Sequence, residues 1–193
     1  MIRLPVLAVL FAAAVLLSGC ATEIKKSGFP QISFAHLQPI SLNVARIVIE
    51  NRYVSPAIPP NVEHLFPVSP SLTALNWGRD RLRAVGQSGT ARVIVRRASV
   101  VEVSLRRSSG LEGAFTREQS ERYDAIIDMM VEVRDTQGKV RVSVESTGTW
   151  SRSVSENISL REREKVWFSM IEEMMADLND ALETQIHIHM KDW

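Results

Sequence analysis

Apolar and polar positions alternate along four stretches of the chain, and the period of that alternation predicts strands. Over 41–54, Ala45, Ile47, Ile49 and Tyr53 share one side and Arg46, Glu50 and Arg52 the other, with Val48 out of phase. Over 90–106 the odd positions Ala91, Val93, Val95, Val101, Val103 and Leu105 are apolar, and Arg92, Arg96, Glu102 and Arg106 lie opposite. Arg97 and Ser99 interrupt that apolar side, so a bend or bulge is expected there. Tyr123, Ala125, Ile127, Met129, Val131 and Val133 make 121–134 a third strand, and Asp135-Thr136-Gln137-Gly138 predicts a hairpin turn. The fourth strand, 139–154, sets Val140, Val142, Val144 and Trp150 against Arg141, Ser143, Glu145, Thr147 and Thr149.

Two stretches have the helical period instead. Ser69 as N-cap and Pro70 at the first helical position open a helix whose apolar face is read as Leu72, Leu75 and Leu82 and whose end is signalled by Gly86. Gly78 is expected to weaken its middle by roughly 1 kcal/mol relative to Ala. Near the C-terminus, Ser159 and Glu162 form a capping box. Val166, Trp167, Met170, Ile171, Met174, Leu178, Leu182 and Ile186 follow at three- and four-residue spacing, with Glu172, Glu173, Asp177 and Asp180 opposite. That helix, roughly 40 Å long, matches the span of a 12-residue strand.

The connections are of different kinds. Pro56, Pro59, Pro60, Pro67 and Pro70 prevent regular pairing over 55–70, but Ile58, Val62, Leu65, Phe66 and Val68 predict a loop lying on the domain. Residues 107–120 read as a polar loop, and 21–40, with no period and with Gly28, Pro30 and Pro39, as a tether. The order β-α-β-β-β-α, with one apolar side per element, predicts an α+β two-layer sandwich. A four-stranded, mostly antiparallel sheet carries two helices on one face, and the other face is wet and charged. The domain is expected over 41–193 as a single unit.

The first 19 residues do not belong to this scheme. Arg3 precedes an apolar run from Leu4 to Leu17, too short to span a membrane at about 20 residues, so it reads as a secretory signal. Leu17-Ser18-Gly19-Cys20 resembles the bacterial lipobox. That resemblance implies cleavage between Gly19 and Cys20, a diacylglyceryl group on the Cys20 thiol and acylation, palmitate among the chains, of the new amine. Several chains give stable anchoring without a transmembrane helix. Ala21, rather than Asp, at the next position implies sorting to the outer membrane, facing the periplasm.

Composition narrows the chemistry. The chain has 193 residues, 23 basic and 22 acidic, and loses only Arg3 among its charges with the signal. A neutral mature chain argues against a broad grip on nucleic acid. A single cysteine excludes an internal disulfide and multi-cysteine metal sites. No G-x-S-x-G, H-E-x-x-H, phosphate loop or C-x-x-C occurs, so no catalytic residues are assigned and a non-enzymatic protein is expected. His187 and His189 could share a metal only on a strand; on a helix they point roughly 200° apart, and no metal site or cofactor is expected beyond the lipid on Cys20. Met129, Met130, Met170, Met174 and Met175 read as core filling, the alternative being a soft groove for a lipid tail. Val48, Ile94, Ile126 and Met130 interrupt the polar sheet face and would form a partner patch if clustered and exposed.

The whole arrangement, lipobox, tether and β-α-β-β-β-α with a long final helix, resembles the auxiliary lipoproteins of ABC-type envelope transport systems. The parallel is closest at Arg122-Tyr123-Asp124, at Gln137-Gly138-Lys139 and in the final helix. It is also similar to the lipoprotein that assists lipopolysaccharide insertion at the outer membrane. The resemblance implies an accessory component of envelope lipid transport or outer-membrane assembly, bound to a protein partner, or a protein that binds lipid or lipopolysaccharide directly. The Pro-rich segment 55–70 departs from the pattern, and Cys20 alone is carried over as a functional residue.

Overall fold

The computed structural model describes residues 28–105 and 119–193, with the side chain of Gln119 not described. The signal segment, Gly19 and Cys20 lie outside the described residues, as does most of the polar loop expected over 107–120. The protein is an α+β sandwich. Its strands are β1 (Ile40–Leu42), β2 (Arg46–Asn51), β3 (Leu82–Ala84), β4 (Thr90–Ser104), β5 (Gln119–Arg134) and β6 (Val140–Ser155). Its helices are α1 (Pro70–Arg81) and α2 (Leu160–His189). The main sheet has the order β2-β4-β5-β6. β2 and β4 are parallel, because α1 crosses between them, and the two following hairpin pairs are antiparallel. A second, two-stranded parallel sheet, β1 with β3, was not expected.

Both helices lie on one face of the sheet. Their apolar stripes and the inward strand positions form one core in which Trp77, Val93, Ile127, Met129, Val131, Met170 and Ile171 have no exposed surface. Ser159 caps α2 as expected, accepting from the Glu162 amide at 3.3 Å while Glu162 reaches back to the Ser159 amide at 3.1 Å. The hairpin turn at 135–138 also forms, closed by the bond from the Gly138 amide to the Asp135 carbonyl.

Four expectations need correction. First, the β4 register shifts between Val95 and Arg97, so the bulge exists, but it also reverses the phase of the strand. Ala98 and Val100 enter the core, while Val101 and Val103 pair with Asp124 and Arg122 on the opposite face. Second, α1 ends at Arg81, and Leu82 belongs to β3. Its buried side is Thr73, Ala74, Trp77, Gly78 and Arg81, and Leu72 is exposed. Gly78 lets the helix approach the sheet: a Cβ there would lie 3.2 Å from Val93 Cγ1 and 3.4 Å from Ile49 Cδ1. Third, Gly86 is no helix cap. A Cβ would fall 2.5 Å from the Asn43 carbonyl carbon and 2.7 Å from the Val44 nitrogen, so glycine is required by backbone approach.

The fourth correction concerns the tether. Residues from Phe29 onward form a strap across the helix layer rather than a free spacer. Phe29 stacks on Phe168 of α2 with ring centroids 5.3 Å apart. Ile32 accepts from Asn76 Nδ2 at 3.3 Å, and Asp80 receives the Ser33 hydroxyl at 2.8 Å and the Phe34 amide at 2.7 Å. Phe34 and Ile40 are buried. The strap is fastened by Arg81, whose guanidinium is buried and donates to the Gln38 carbonyl, to Asn179 Oδ1 at 2.9 Å and to Glu183 at 2.5 Å. The same Asn179 oxygen accepts from Trp77 Nε1 at 2.9 Å.

Candidate functional site

The uncovered face of the sheet carries ordered polar chemistry, built row by row from the strand registers. Val48, Arg92, Glu132 and Ser143 align in one row, and Glu50, Ile94, Met130 and Glu145 in the next. Arg92 clamps Glu50 with bonds of 2.9, 2.5 and 2.7 Å and also reaches Glu132 at 2.8 Å. Arg134 donates to the same Glu132 oxygen at 2.7 Å. One row further, Arg96 holds Asp128 through two bonds, 3.0 and 2.8 Å, and Glu145 at 2.6 Å. Beyond the bulge, Arg122 holds Asp124, which also accepts the Ser151 hydroxyl at 2.5 Å.

These pairs set the protonation of the face. The Arg92 guanidinium holds the Glu50 carboxyl below its usual range, and Arg122 followed by Ser151 does the same for Asp124. Glu132 is 4% exposed; burial alone would raise it, but Arg134 and Arg92 together draw it below the ordinary glutamate value. The face is thus a lattice of neutralised charge rather than a one-sign field. At the start of the strands it dips into a basin of about 700 Å³ lined by Arg46, Val48, Glu50, Thr90, Arg92 and Arg134.

The apolar residues expected to interrupt this face do not form an exposed patch. Ile94 is fully buried between Glu50 and Met130, and Val48, Ile126 and Met130 are half-buried. Met129, Met170, Met174 and Met175 fill the core between α2 and the sheet, whereas Met130 belongs to the open face. The acidic residues Glu172, Glu173, Asp177 and Asp180 are solvated on α2. His36, His64, His187 and His189 are all exposed, and the last two sit in the final turn of α2. Among the described residues, no three His, Cys, Asp or Glu side chains are grouped to hold a metal, and no helix is long and apolar enough to cross a membrane.

The Pro-rich loop borders this face. β2 covers β4 only as far as Val95; beyond it the loop takes over the edge, with Val62 donating to the Val100 carbonyl at 2.9 Å and Glu102 donating to the Pro60 carbonyl at 2.9 Å. Pro60 needs only its carbonyl for this, which is why proline is tolerated there. Val62, Phe66 and Val68 are buried, and Phe66 stacks on Trp167 at 4.7 Å. Glu63, which nothing in the periodicity singled out, holds the loop. Its buried carboxylate accepts Tyr53 Oη at 2.6 Å, Ser55 Oγ at 2.5 Å and the Val100 amide at 3.1 Å. Burial works to raise its pKa, but the Ser55 and Tyr53 hydroxyls outweigh it and hold the carboxyl low. Burial and that carboxylate push the Tyr53 phenol up, so it stays a donor.

No family model matches the chain, and no curated protein does. Solved structures do show a likeness. A Xanthomonas campestris protein of the DUF330 family is 10% identical, with a TM-score of 0.36, over 81% of this chain and 96% of that one. A minor lipoprotein from Acinetobacter baumannii is 13% identical, with a TM-score of 0.37, over 75% and 92%. Rare lipoprotein B from Shewanella oneidensis is 12% identical, with a TM-score of 0.34, over 74% and 98%. At these values the functional reading rests on the residues of this chain.

Proposed function

We propose that this is a non-enzymatic lipoprotein of the bacterial envelope, anchored through Cys20 in the outer membrane, whose open sheet face engages a protein partner in lipid transport or outer-membrane assembly. The observation that carries the reading is the division of labour in the sheet. One face is covered by the two helices, and the other presents register-locked Arg–carboxylate pairs to solvent. Such a lattice gives specificity and orientation more than affinity, because each pair can be matched or mismatched by a partner's own charges. Direct lipid binding is the second reading. It fits the space between α2 and the sheet poorly, since Met129, Met170 and Met175 have no exposed surface there; a lipid ligand would have to use the surface.

The test is crosslinking in native membranes, with a photoreactive residue at Thr147 or Thr149 on the open face and, as control, at Glu172, exposed on α2. An envelope transport or assembly protein captured at the sheet positions, and much less in a Cys20→Ala background, supports the proposal. Equal capture from Glu172, or no protein captured from either sheet position, overturns it. In the latter case, lipid co-purifying with the chain would favour the second reading.

A further inference from the structure

We infer that the Pro-rich loop is a membrane-contact rim, with Val54, Ile58 and Leu65 resting on the bilayer that holds the anchor. The inference rests on the reading of Cys20 as the lipidated residue. The strap fixes the chain from Phe29 onward, so only residues 21–27 and Gly28 separate the domain from Cys20. Those eight residues span at most about 26–29 Å when fully extended. The end of the molecule where the chain emerges therefore stays within that reach of the membrane surface.

That end also carries the loop. Phe29 lies on Phe168, whose neighbour Trp167 stacks on Phe66, and Phe66 adjoins Leu65. Residues 60–62 run beside Val100–Glu102 at the same end of β4. Val54 is 85% exposed, Ile58 64% and Leu65 55%. Single exposed aliphatics are ordinary on a protein surface, but these three share the connection from β2 to α1, Val54 just before its Pro-rich part, at the end that the anchor constrains. Apolar side chains buried at the headgroup boundary add to the hold of an acyl anchor, and three branched ones do so together. The opposite end supplies matched controls: Val85 is 62% exposed and Ile188 56%.

Because Cys20 is the sole cysteine, the chain from Cys20 onward can be coupled through its thiol to a maleimide lipid in phosphatidylethanolamine/phosphatidylglycerol vesicles. Hydroxyl-radical labelling then compares vesicle-bound protein with protein whose Cys20 is capped in solution. The expected result is labelling of Ile58 and Leu65 reduced by roughly threefold or more on vesicles, as for side chains buried at the headgroup boundary, with Val85 and Ile188 unchanged. Equal labelling at both ends, or protection of Val85 and Ile188, overturns the inference. The triple variant V54S/I58S/L65S alters only exposed side chains; it is expected to return His64 to its solution labelling. Protection of His64 that survives in the variant would mean that tether length alone brings the loop close, and the apolar contact would be refuted. Chemical coupling bypasses native acylation, which is read separately from the mass of the N-terminal peptide of membrane-extracted protein.

Discussion

The two faces of the main sheet are made from the same strands by opposite means. On the covered face, Ala91, Val93, Val95, Ile127, Met129, Val131 and Val133 have no exposed surface and meet the helices. On the open face, the residues between them are tied by ion pairs such as Arg92–Glu50 and Arg96–Asp128. Apolar burial is non-directional and contributes in proportion to area. Ion pairs near solvent each contribute about 0–1 kcal/mol, but they require a particular register and geometry. One face therefore carries the stability, and the other carries a pattern that can be read or altered at small cost. Recognition surfaces are easiest to place where the fold does not depend on them.

Substitutions can break this contrast, starting where the effect is greatest. Trp77→Ala removes a fully buried side chain and its bond to Asn179, and about 3–5 kcal/mol should be lost in urea unfolding. Arg81→Met is the sharper probe, because it is a buried charge on the covered side. It should cost about 2–3 kcal/mol and expose residues 29–38 to proteolysis before the rest of the chain. Stability after Arg81→Met equal to wild type would place the strap's hold elsewhere.

Arg92→Ala on the open face should cost about 1 kcal/mol, because Arg134 still serves Glu132. It should also flatten the acid limb of the stability profile. Glu50, Asp124 and Glu132 are held below their ordinary values in the folded state. Their contribution is fully present above the unfolded values of 4.5 for Glu and 3.8 for Asp, and it is lost as pH falls through the lower folded values. Wild type should therefore hold its stability at neutral pH and weaken below about pH 4.5, and the variant less steeply. Arg122→Ala, at the exposed far end of the lattice, should leave the thermal midpoint unchanged within error while still changing partner capture.

The sequence made the long elements legible because each has one dominant period. The capping box at Ser159 and Glu162, the alternation in 121–134 and the turn at Asp135 are local signals, and each formed where expected. The errors arose where a local signal was overridden at a distance. At Arg97 the bulge was readable, but its consequence, the switch of Val101 and Val103 to the other face, follows only when β4 is paired with β5. Phe29, Ile32 and Phe34 have no period, so they read as a tether; their place depends on a groove formed by helices far along the chain. Glu63 looks like a solvated loop residue until Tyr53, Ser55 and Val100 converge on it. For the open face, the alternating charges were legible as a wet surface, but which arginine serves which carboxylate depends on register.

The strap also sets an order of events. Its seat is divided between the helices: Asn76, Asp80 and Arg81 of α1 hold residues 32–38, whereas Phe29 rests on Phe168 of α2, Arg81 is itself held by Asn179 and Glu183 of α2, and the Asn43 amide donates to the carbonyl of Trp193. Residues 29–43 precede both helices in the chain, yet they have no complete seat until α2 has folded onto the sheet. Closing so long a loop is among the slower steps available to a chain of this topology. The strap is therefore among the last parts of the fold to be fastened. The double variant F168A/E183A, which spares the core side of α2, should open residues 29–38 to protease ahead of the rest of the chain, so α2 acts as the latch that closes the strap.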